Sequence, residues 1–311
     1  MSKLFIIGNG FDRAHGLNTS YEDFHQYLKE NYPDASFDGY NTPESSRVMP
    51  DGGIEYEDVD AVGFIMEVIS SAEPDGENWS NLETSLGHLD LHEYMDNWLD
   101  DGDEDDNPYH EVYRNQDLAA NLVGAILEIT DYFADWIDTI EIIDTQPIAR
   151  FEKLIDRDKD WFLTFNYTET LEILYGAKNV CHIHGKQGGE LLFGHGDDTD
   201  YTEDFMNRHI GSEDSLQAMQ EKLRKNTKGA IATSQAFFQD ISNVVNEIYS
   251  FGFSFSKVDE VYVQEICRRM STAHVTWFLH ERNNNDDESS KYQAIIRSCG
   301  FKGKFETFSV S

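Results

Sequence analysis

The chain has 311 residues and carries 59 Asp and Glu against 24 Lys and Arg, a formal charge of −35. This acidity disfavours a broad nucleic-acid interface or adhesion to anionic lipid, since both use clustered cations. Hydrophobic residues make up 39% and aromatic residues 13%. That is enough apolar surface for one large or two medium folded domains, and it excludes a wholly disordered chain.

The cysteines indicate a reducing compartment. Cys181, Cys267 and Cys299 are an odd count, scattered, without C-x-x-C spacing, which suits neither a disulfide framework nor a thiolate zinc site. No apolar run approaches the roughly 18 residues that a membrane span needs. The apolar run at residues 4–7 is too short for a secretory leader. We therefore expect a cytoplasmic protein with no membrane partner.

The first segment predicts a strand, a glycine loop and a helix. Residues 3–7 are largely apolar and are followed by Gly8-Asn9-Gly10. Thr19 or Ser20 then starts a helix in capping-box style, with the next apolar side chains at helical spacing. Residues 33–60, rich in Gly, Pro, Ser and Asp, predict a long loop.

Apolar residues recur at helical spacing over residues 61–143, which predicts helices there. An acidic run at residues 100–106 interrupts the pattern. That run does not match a calcium loop, because Asp106 and Val112 stand where Gly and Glu are required, so we interpret it as a solvated loop. The cationic cluster Lys222, Arg224, Lys225 and Lys228 is interpreted as the solvated face of a helix. A phosphate or partner contact is the alternative for that cluster.

Strands and helices alternate after the helical stretch. Strands are predicted at residues 161–165, 180–183, 191–193, 249–251, 274–279 and 304–308, and helices at 236–249, 258–270 and 289–298. Alternation of this kind indicates an α/β fold, a Rossmann-like and mostly parallel sheet with helices on both faces. We assign residues 1–58 and 149–311 to this nucleotide-binding core and residues 59–148 to a helical insertion.

Polar residues follow the predicted strands where each strand ends, at residues 8–12, 166–168, 184–185 and 252–256. In an open parallel sheet the ligand crevice lies beyond these ends. The first of these loops is a G-x-G, whose backbone amides can approach a pyrophosphate near a helix N-terminus. Arg13 stands where the dinucleotide fingerprint has a third glycine, so a simple tight turn is the alternative.

Three histidines follow or end strands. His182 and His184 are expected on one strand face, and His195 follows in a later loop. A zinc set is conceivable, but no acidic fourth ligand stands at a suitable spacing, and we expect no metal. His182 is interpreted as a packed or partly exposed side chain. His184, directly before a glycine at a strand end, is the candidate general base.

The motifs resemble the AbiH family of phage abortive-infection proteins. They are residues 6–12, 14–17 and 19–21; Trp79, Leu82 and Glu83; residues 165–168 with 171–172; residues 182–185; residues 193–196; and residues 252–255 with Asp259 and Tyr262. The resemblance implies a role in phage defence. AbiH proteins in turn resemble, more distantly, the sirtuin-like NAD-binding fold.

The sirtuin likeness implies a set of site residues. Asn166 and His184 are the implied catalytic residues. Asp12 is a third candidate, which would bind ribose hydroxyls or stabilise the developing cation, and a cap of the first helix is the alternative for it. Glu83 could cap the crevice, and a surface residue is the alternative there. The implied nucleotide-binding residues are Gly8, Asn9, Gly10, Phe11, Thr168, Gly185, Gly252 and Ser254. The four-cysteine zinc ribbon of sirtuins is absent, which argues against protein deacylation and leaves binding or hydrolysis of NAD or a related nucleotide.

Two hypotheses follow from these patterns. In the first, the protein hydrolyses NAD at the nicotinamide–ribose bond, with Asn166 orienting a hydroxyl or water, His184 accepting a proton and Asp12 stabilising the developing cation. In the second, it binds a nucleotide without turnover and contacts a phage or host protein through the helical insertion. A homo-oligomer is left open, and a nuclease is disfavoured by the charge.

Overall fold

A computed structural model gives the fold and describes residues 2–37, 46–48, 54–56, 58–73, 79–99, 108–281 and 286–310. The acidic run at residues 100–106 lies outside this part of the chain. Contacts divide the chain into two compact units. Unit 1 comprises Met1–Ser20, Ile137–Leu192 and Asn226–Ser311, and unit 2 comprises Tyr21–Trp136 and Phe193–Lys225. The separation of residues 59–148 as an insertion domain stays a prediction.

The strands are β1 (Ser2–Ile7), β2 (Ser46–Val48), β3 (Ile54–Tyr56), β4 (Trp161–Thr164), β5 (Asn179–His182), β6 (Val245–Phe251), β7 (Thr276–His280) and β8 (Lys304–Phe308). In unit 2, β2 and β3 pair antiparallel. In unit 1 the described strands form a six-stranded sheet in the order β5-β4-β1-β6-β7-β8, and every neighbouring pair is parallel. The predicted α/β fold with a parallel sheet is confirmed.

The helices are α1 (Gly10–Ala14), α2 (Tyr21–Asn31), α3 (Asp58–Ala72), α4 (Leu82–Ser85), α5 (His92–Leu99), α6 (Pro108–Leu127), α7 (Ile129–Asp138), α8 (Ala149–Leu154), α9 (Thr170–Tyr175), α10 (Thr202–Arg208), α11 (Glu213–Lys222), α12 (Thr227–Thr233), α13 (Gln235–Ile241), α14 (Glu260–Arg269) and α15 (Asp286–Ser298). Helices α3 to α7 confirm the helical character that the apolar spacing of residues 61–143 predicts.

Strand β1 is central because both of its faces are buried. Leu4 and Ile6 pack into one hydrophobic core and Phe5 and Ile7 into another, and all four are fully buried. The period of two in a strand sends alternate side chains to opposite faces of the sheet. A strand buried on both faces therefore reads as a continuous apolar run, which is how residues 4–7 appear in the sequence.

Helices cover both faces of the sheet in unit 1. The core that contains Leu4 also contains Phe238 of α13, Ile266 of α14 and Ile296 of α15. The core that contains Phe5 includes side chains of α1, α8 and α9: Phe11, Phe151 and Leu171. The expectation of helices on both faces is confirmed.

Three predicted segments differ from the structure. The segment at residues 33–60, predicted as a long loop, contains the paired strands β2 and β3 and the start of α3 at Asp58. Residues 191–193 form no strand, because the Leu192 amide donates to the His184 carbonyl (2.7 Å) across the intervening loop instead of joining a sheet ladder. The helix predicted for residues 236–249 ends at Ile241 as α13, and β6 begins at Val245. Strand β6 is longer than predicted because it pairs with both β1 and β7, and such pairing is invisible in local periodicity.

The chain changes direction across the sheet between β1 and β6. From β1 it proceeds outward through β4 to β5, and then resumes on the other side of β1 with β6, β7 and β8. The loops after β1 and β6 meet at this switch point: the Gly8 amide donates to the Phe251 carbonyl and the Gly10 amide to the Gly252 carbonyl, both at 3.0 Å. A Cβ on Gly8 would lie 2.5 Å from the Gly252 oxygen. Glycine is therefore required there for the close approach of two backbones.

We expect Gly8→Ala to destabilise unit 1, because its new methyl group would overlap backbone atoms that cannot move aside. Overpacking of this kind costs about 1–3 kcal/mol, which should appear as a lower midpoint of thermal or urea unfolding. Gly124→Ala is the control, since a Cβ there meets nothing within 4 Å and Ala favours a helix interior. An unfolding midpoint for Gly8→Ala equal to that of the wild type would contradict the steric explanation.

Candidate functional site

The structure brings Asp12 and Thr168 together at the carboxyl ends of β1 and β4. These strands are parallel neighbours, with Ile7 opposite Thr164, so the residues that follow them share one edge of the sheet. The Thr168 hydroxyl donates to Asp12 Oδ2 (2.5 Å) and lies 2.9 Å from the Thr170 hydroxyl. All three side chains are buried. The loops after β1 and β4, which were predicted to lie close together, are thus joined by a direct hydrogen bond.

Burial dominates the ionisation of Asp12. Loss of hydration raises the pKa of its carboxyl from 3.8 to about 6, against the opposing effects of Thr168, Thr170, Asn166 and His182. Within the described residues, Oδ1 of this carboxyl has no hydrogen-bond partner. A carboxyl with a pKa close to neutrality and a bare oxygen can exchange a proton or bind a hydroxyl group.

The Asn166 side chain is buried beside this carboxyl. Its backbone amide donates to the Thr164 hydroxyl (3.1 Å), but its carboxamide Oδ1 and Nδ2 have no hydrogen-bond partner of normal geometry in the described part of the chain. Buried carboxamides are nearly always hydrogen-bonded, because an unsatisfied polar group costs about 1–3 kcal/mol. The Asn166 carboxamide nevertheless lowers the pKa of the Asp12 carboxyl, so the two side chains lie close together even though the geometry of a normal hydrogen bond is not reached.

His184 is buried and faces a carboxylate. Its Nε2 lies 3.5 Å from Asp259 Oδ1, and its ring packs against those of Phe165 (5.1 Å between centroids) and Tyr262 (5.7 Å). Asp259 Oδ2 in turn accepts a hydrogen bond from the Ser256 hydroxyl (2.8 Å). In the sequence Asp259 is visible only as a family motif residue at the start of a helix, so local pattern gives no sign of its contact with His184.

The three histidines have separate surroundings. His182 Nε2 lies 2.8 Å from Glu172 Oε1 and its Nδ1 lies 3.2 Å from the Asn166 carbonyl. Because β5 ends at His182, the strand alternation does not extend to His184, which faces Asp259 instead. His195 belongs to unit 2, where its Nε2 faces the Gln220 carbonyl. No group of three His, Cys, Asp or Glu side chains in the described residues could hold a metal.

Several other predicted site residues have structural partners. Asn9 Nδ2 donates to the Thr19 carbonyl (2.8 Å). Phe11 is fully buried in the core beside the sheet. Gly185 has φ +83°, and a Cβ there would lie 2.0 Å from the Glu190 carbonyl oxygen, so the turn after His184 demands glycine. These contacts account for the residue types, and the nucleotide-binding roles of these positions stay predictions.

A cavity of about 420 Å³ opens at the switch point in unit 1. Its lining includes Gly10, Gly252 and Ser254 from the predicted site, together with Arg13, Phe253, Glu281, Glu288 and Tyr292. Asp12, Asn166, Thr168 and His184 are not part of this lining. The Phe253 ring packs on Phe165 (4.4 Å), which packs on His184. The structure thus divides the predicted site into three parts. Some residues line the open cavity, Asp12, Asn166 and Thr168 form a buried polar cluster, and His184 is buried against Phe165 and faces Asp259.

Unit 2 has a buried ion pair of its own. The Lys225 Nζ donates to Glu83 Oε1 (2.5 Å), and the Tyr21 hydroxyl donates to the same oxygen. Lys225 is only 4% exposed, so its interpretation as part of a solvated helix face is wrong: its carboxylate partner lies more than a hundred residues away and is invisible to local pattern. The capping role of Glu83 over the crevice stays a prediction.

Comparison with known protein families shows to which family the chain belongs. The sequence model of the family described as bacteriophage abortive infection AbiH matches residues 4–281. The chain belongs to the AbiH family. Membership in AbiH implies a role in abortive infection by bacteriophage. Searches of curated proteins and of solved structures found no match. Among the described residues of this AbiH protein, no helix combines the length and hydrophobicity that a membrane crossing requires.

The raised pKa of Asp12 in this AbiH protein predicts a pH-dependent stability. The folded protein holds this proton more tightly than the unfolded chain, so the carboxyl lowers stability as pH rises from about 4 to about 6. Asp12→Asn cannot ionise. Its free energy of unfolding relative to the wild type should therefore increase between pH 4 and pH 7, by at most about 3 kcal/mol.

Urea unfolding of both proteins across that pH range measures this difference. Asp198→Asn, at an exposed carboxylate, is the control and should show no such trend. A constant difference between Asp12→Asn and the wild type would show that the Asp12 carboxyl is not perturbed by burial.

Proposed function

We propose that this AbiH protein binds NAD or a related nucleotide in unit 1 as part of its role in phage defence. The observation that carries the proposal is the cavity at the switch point between β1 and β6. Ligands of open α/β sheets bind beyond the carboxyl ends of the strands at this point. The volume of about 420 Å³ falls within the range of small-molecule sites, about 300–1,000 Å³.

Several side chains that line the cavity can bind parts of a nucleotide. Arg13 is exposed and lines the cavity, where it can pair with a phosphate. The carboxylates of Glu281 and Glu288 can accept hydrogen bonds from ribose hydroxyls, and the Tyr292 ring offers a surface for a base. The Gly8 and Gly10 amides already donate to the loop after β6, so phosphate recognition would depend on side chains more than in the usual dinucleotide loop.

We expect NAD to raise the melting temperature of the protein and Arg13→Glu to abolish that shift. A ligand at 100 times its dissociation constant adds about 2.7 kcal/mol of stability, which differential scanning fluorimetry detects. Arg150→Glu is the matched control, because Arg150 is exposed on α8 and is not part of the cavity lining. No shift with NAD, ADP-ribose or ATP, or an equal shift in Arg13→Glu, would refute binding at the cavity.

The buried polar cluster supports hydrolysis as the second part of the proposal. Cleavage of the nicotinamide–ribose bond develops positive charge on the ribose, which a carboxylate at Asp12 would stabilise. The unsatisfied Asn166 carboxamide would orient a hydroxyl or the attacking water, and His184 would take the proton. Because His184 is only 3% exposed, turnover requires a rearrangement that gives the substrate access to its ring.

Release of free nicotinamide from NAD by the purified protein tests the hydrolysis. We expect Asn166→Ala and His184→Ala each to reduce the rate by about 10²–10⁴-fold, the usual contribution of a general base or orienting group. His195→Ala is the control, since this buried histidine belongs to unit 2. Full activity in both unit 1 variants would remove these residues from the mechanism.

Binding without turnover is the alternative, and the burial of His184 favours it. In this version the nucleotide occupies the cavity and the protein signals to a phage or host protein. A melting shift with NAD together with no nicotinamide release, also in cells infected by phage, would identify a nucleotide sensor.

A further inference from the structure

His182 has a hydrogen-bond acceptor in front of each of its ring nitrogens. Its Nε2 lies 2.8 Å from Glu172 Oε1, and its Nδ1 lies 3.2 Å from the Asn166 carbonyl oxygen. A carbonyl oxygen and an ionised carboxylate accept hydrogen bonds and donate none, so each contact requires a proton on the nitrogen that faces it. A neutral imidazole carries one such proton and an imidazolium carries two. The two contacts together therefore require the imidazolium.

The proton between His182 and Glu172 belongs on the ring. A carboxyl group ordinarily loses its proton at a pH about two units below that of an imidazole, so the two side chains form an ion pair. Their surroundings suit one: the side chains are 10% and 28% exposed, and Lys186, whose own partner is Glu169, is a second cation within electrostatic reach of Glu172. Both cations favour the ionised form of Glu172.

The fold places this ion pair next to the buried polar cluster. Strand β5 ends at His182, opposite Thr164 at the end of β4. The chain continues from β4 through Asn166 into α9, which carries Glu172. The two hydrogen bonds of His182 thus join the backbone of the Asn166 loop to this helix. The positive charge of the ring also acts on Asp12, where it opposes the effect of burial on the pKa of that carboxyl.

We propose that His182 is a fixed imidazolium, a positioning residue that holds the Asn166 loop and supplies the positive charge that favours the anionic form of Asp12. The catalytic meaning of this charge rests on the proposed hydrolysis. There the Asp12 carboxylate stabilises the cation that develops on the ribose, and His182 itself transfers no proton. His182 therefore acts through Asp12 and Asn166.

Nitrogen NMR of the wild-type protein labelled with ¹⁵N-histidine counts the ring protons directly and requires no activity. We expect both His182 nitrogens to be protonated at pH 7, where an ordinary imidazole is mostly neutral. The His182 signals are identified by their loss in His182→Gln. A ring with one bare nitrogen at pH 7 would overturn the proposal, whether or not the protein cleaves NAD.

Glu172→Gln tests the ion pair. The amide keeps the size of the side chain but removes the charge that holds the second proton, so the His182 ring should lose one of its two protons at pH 7. Glu169→Gln is the matched control: it removes a carboxylate at the N-cap of the same helix that pairs with Lys186 instead, and it should leave both ring protons in place. A ring that stays doubly protonated in Glu172→Gln would contradict the pairing. Should His182→Gln not fold, the signals that change in Glu172→Gln identify the ring.

The pH-dependent stability of Asp12→Asn tests the charge by a readout that a merely structural role of His182 would not move. Without the imidazolium the Asp12 carboxyl should bind its proton more tightly. In a His182→Gln background, the rise with pH in the unfolding free energy of Asp12→Asn over its parent should extend to a pH about one unit higher. His274→Gln, at an exposed histidine of unit 1, is the control background and should leave the rise where it is. The same pH range in all backgrounds would refute the electrostatic role.

The pH dependence of nicotinamide release separates this proposal from the proposed hydrolysis. If hydrolysis needs the ionised Asp12, the acid limb of the rate profile should move to higher pH in His182→Gln by the same amount as the unfolding profile. A wild type that releases no nicotinamide refutes hydrolysis, while the NMR and unfolding results still decide the charge of His182. An acid limb that stays in place while the unfolding profile moves would refute the catalytic consequence of that charge.

Discussion

The backbone contact between the loops after β1 and β6 is the constraint on which the rest of unit 1 depends. Gly8 and Gly10 approach Gly252 so closely that a Cβ at any of the three would overlap backbone atoms. The contact joins the two halves of the sheet where the chain reverses its direction across it. It also sets where α1 begins, and thereby where Asp12 meets the loop after β4.

The same contact changes the chemistry expected of a glycine loop. In a dinucleotide loop the amides near a helix N-terminus are available to phosphate oxygens, but here the Gly8 and Gly10 amides donate to carbonyls of the neighbouring loop. In the proposed function, side chains around the cavity would then supply most of the nucleotide recognition. The glycines of this family motif are thus explained by packing, and the polar residues of the motifs carry the proposed chemistry.

Two buried carboxyls illustrate how surroundings assign different roles to one residue type. Asp12 loses hydration, accepts a hydrogen bond from a neutral hydroxyl and has its pKa raised to about 6. Asp259 has both a hydroxyl and an imidazole facing it, a setting in which the charged form gains an opposite charge when the ring is protonated.

The sequence by itself determined the α/β class, the central strand at residues 4–7, and the edge of the sheet where polar residues follow β1, β4 and β5. It did so because the spacing of apolar residues in strands and the position of glycines at strand ends are local properties of the chain. Sequence motifs also determined the AbiH relationship. Only the tertiary structure decided the facing of Asp259 and His184, the burial of Lys225 against Glu83, and the separation of the cavity from the polar cluster. These depend on contacts between segments distant in the chain, where burial and partner charge are set by packing that no local pattern encodes.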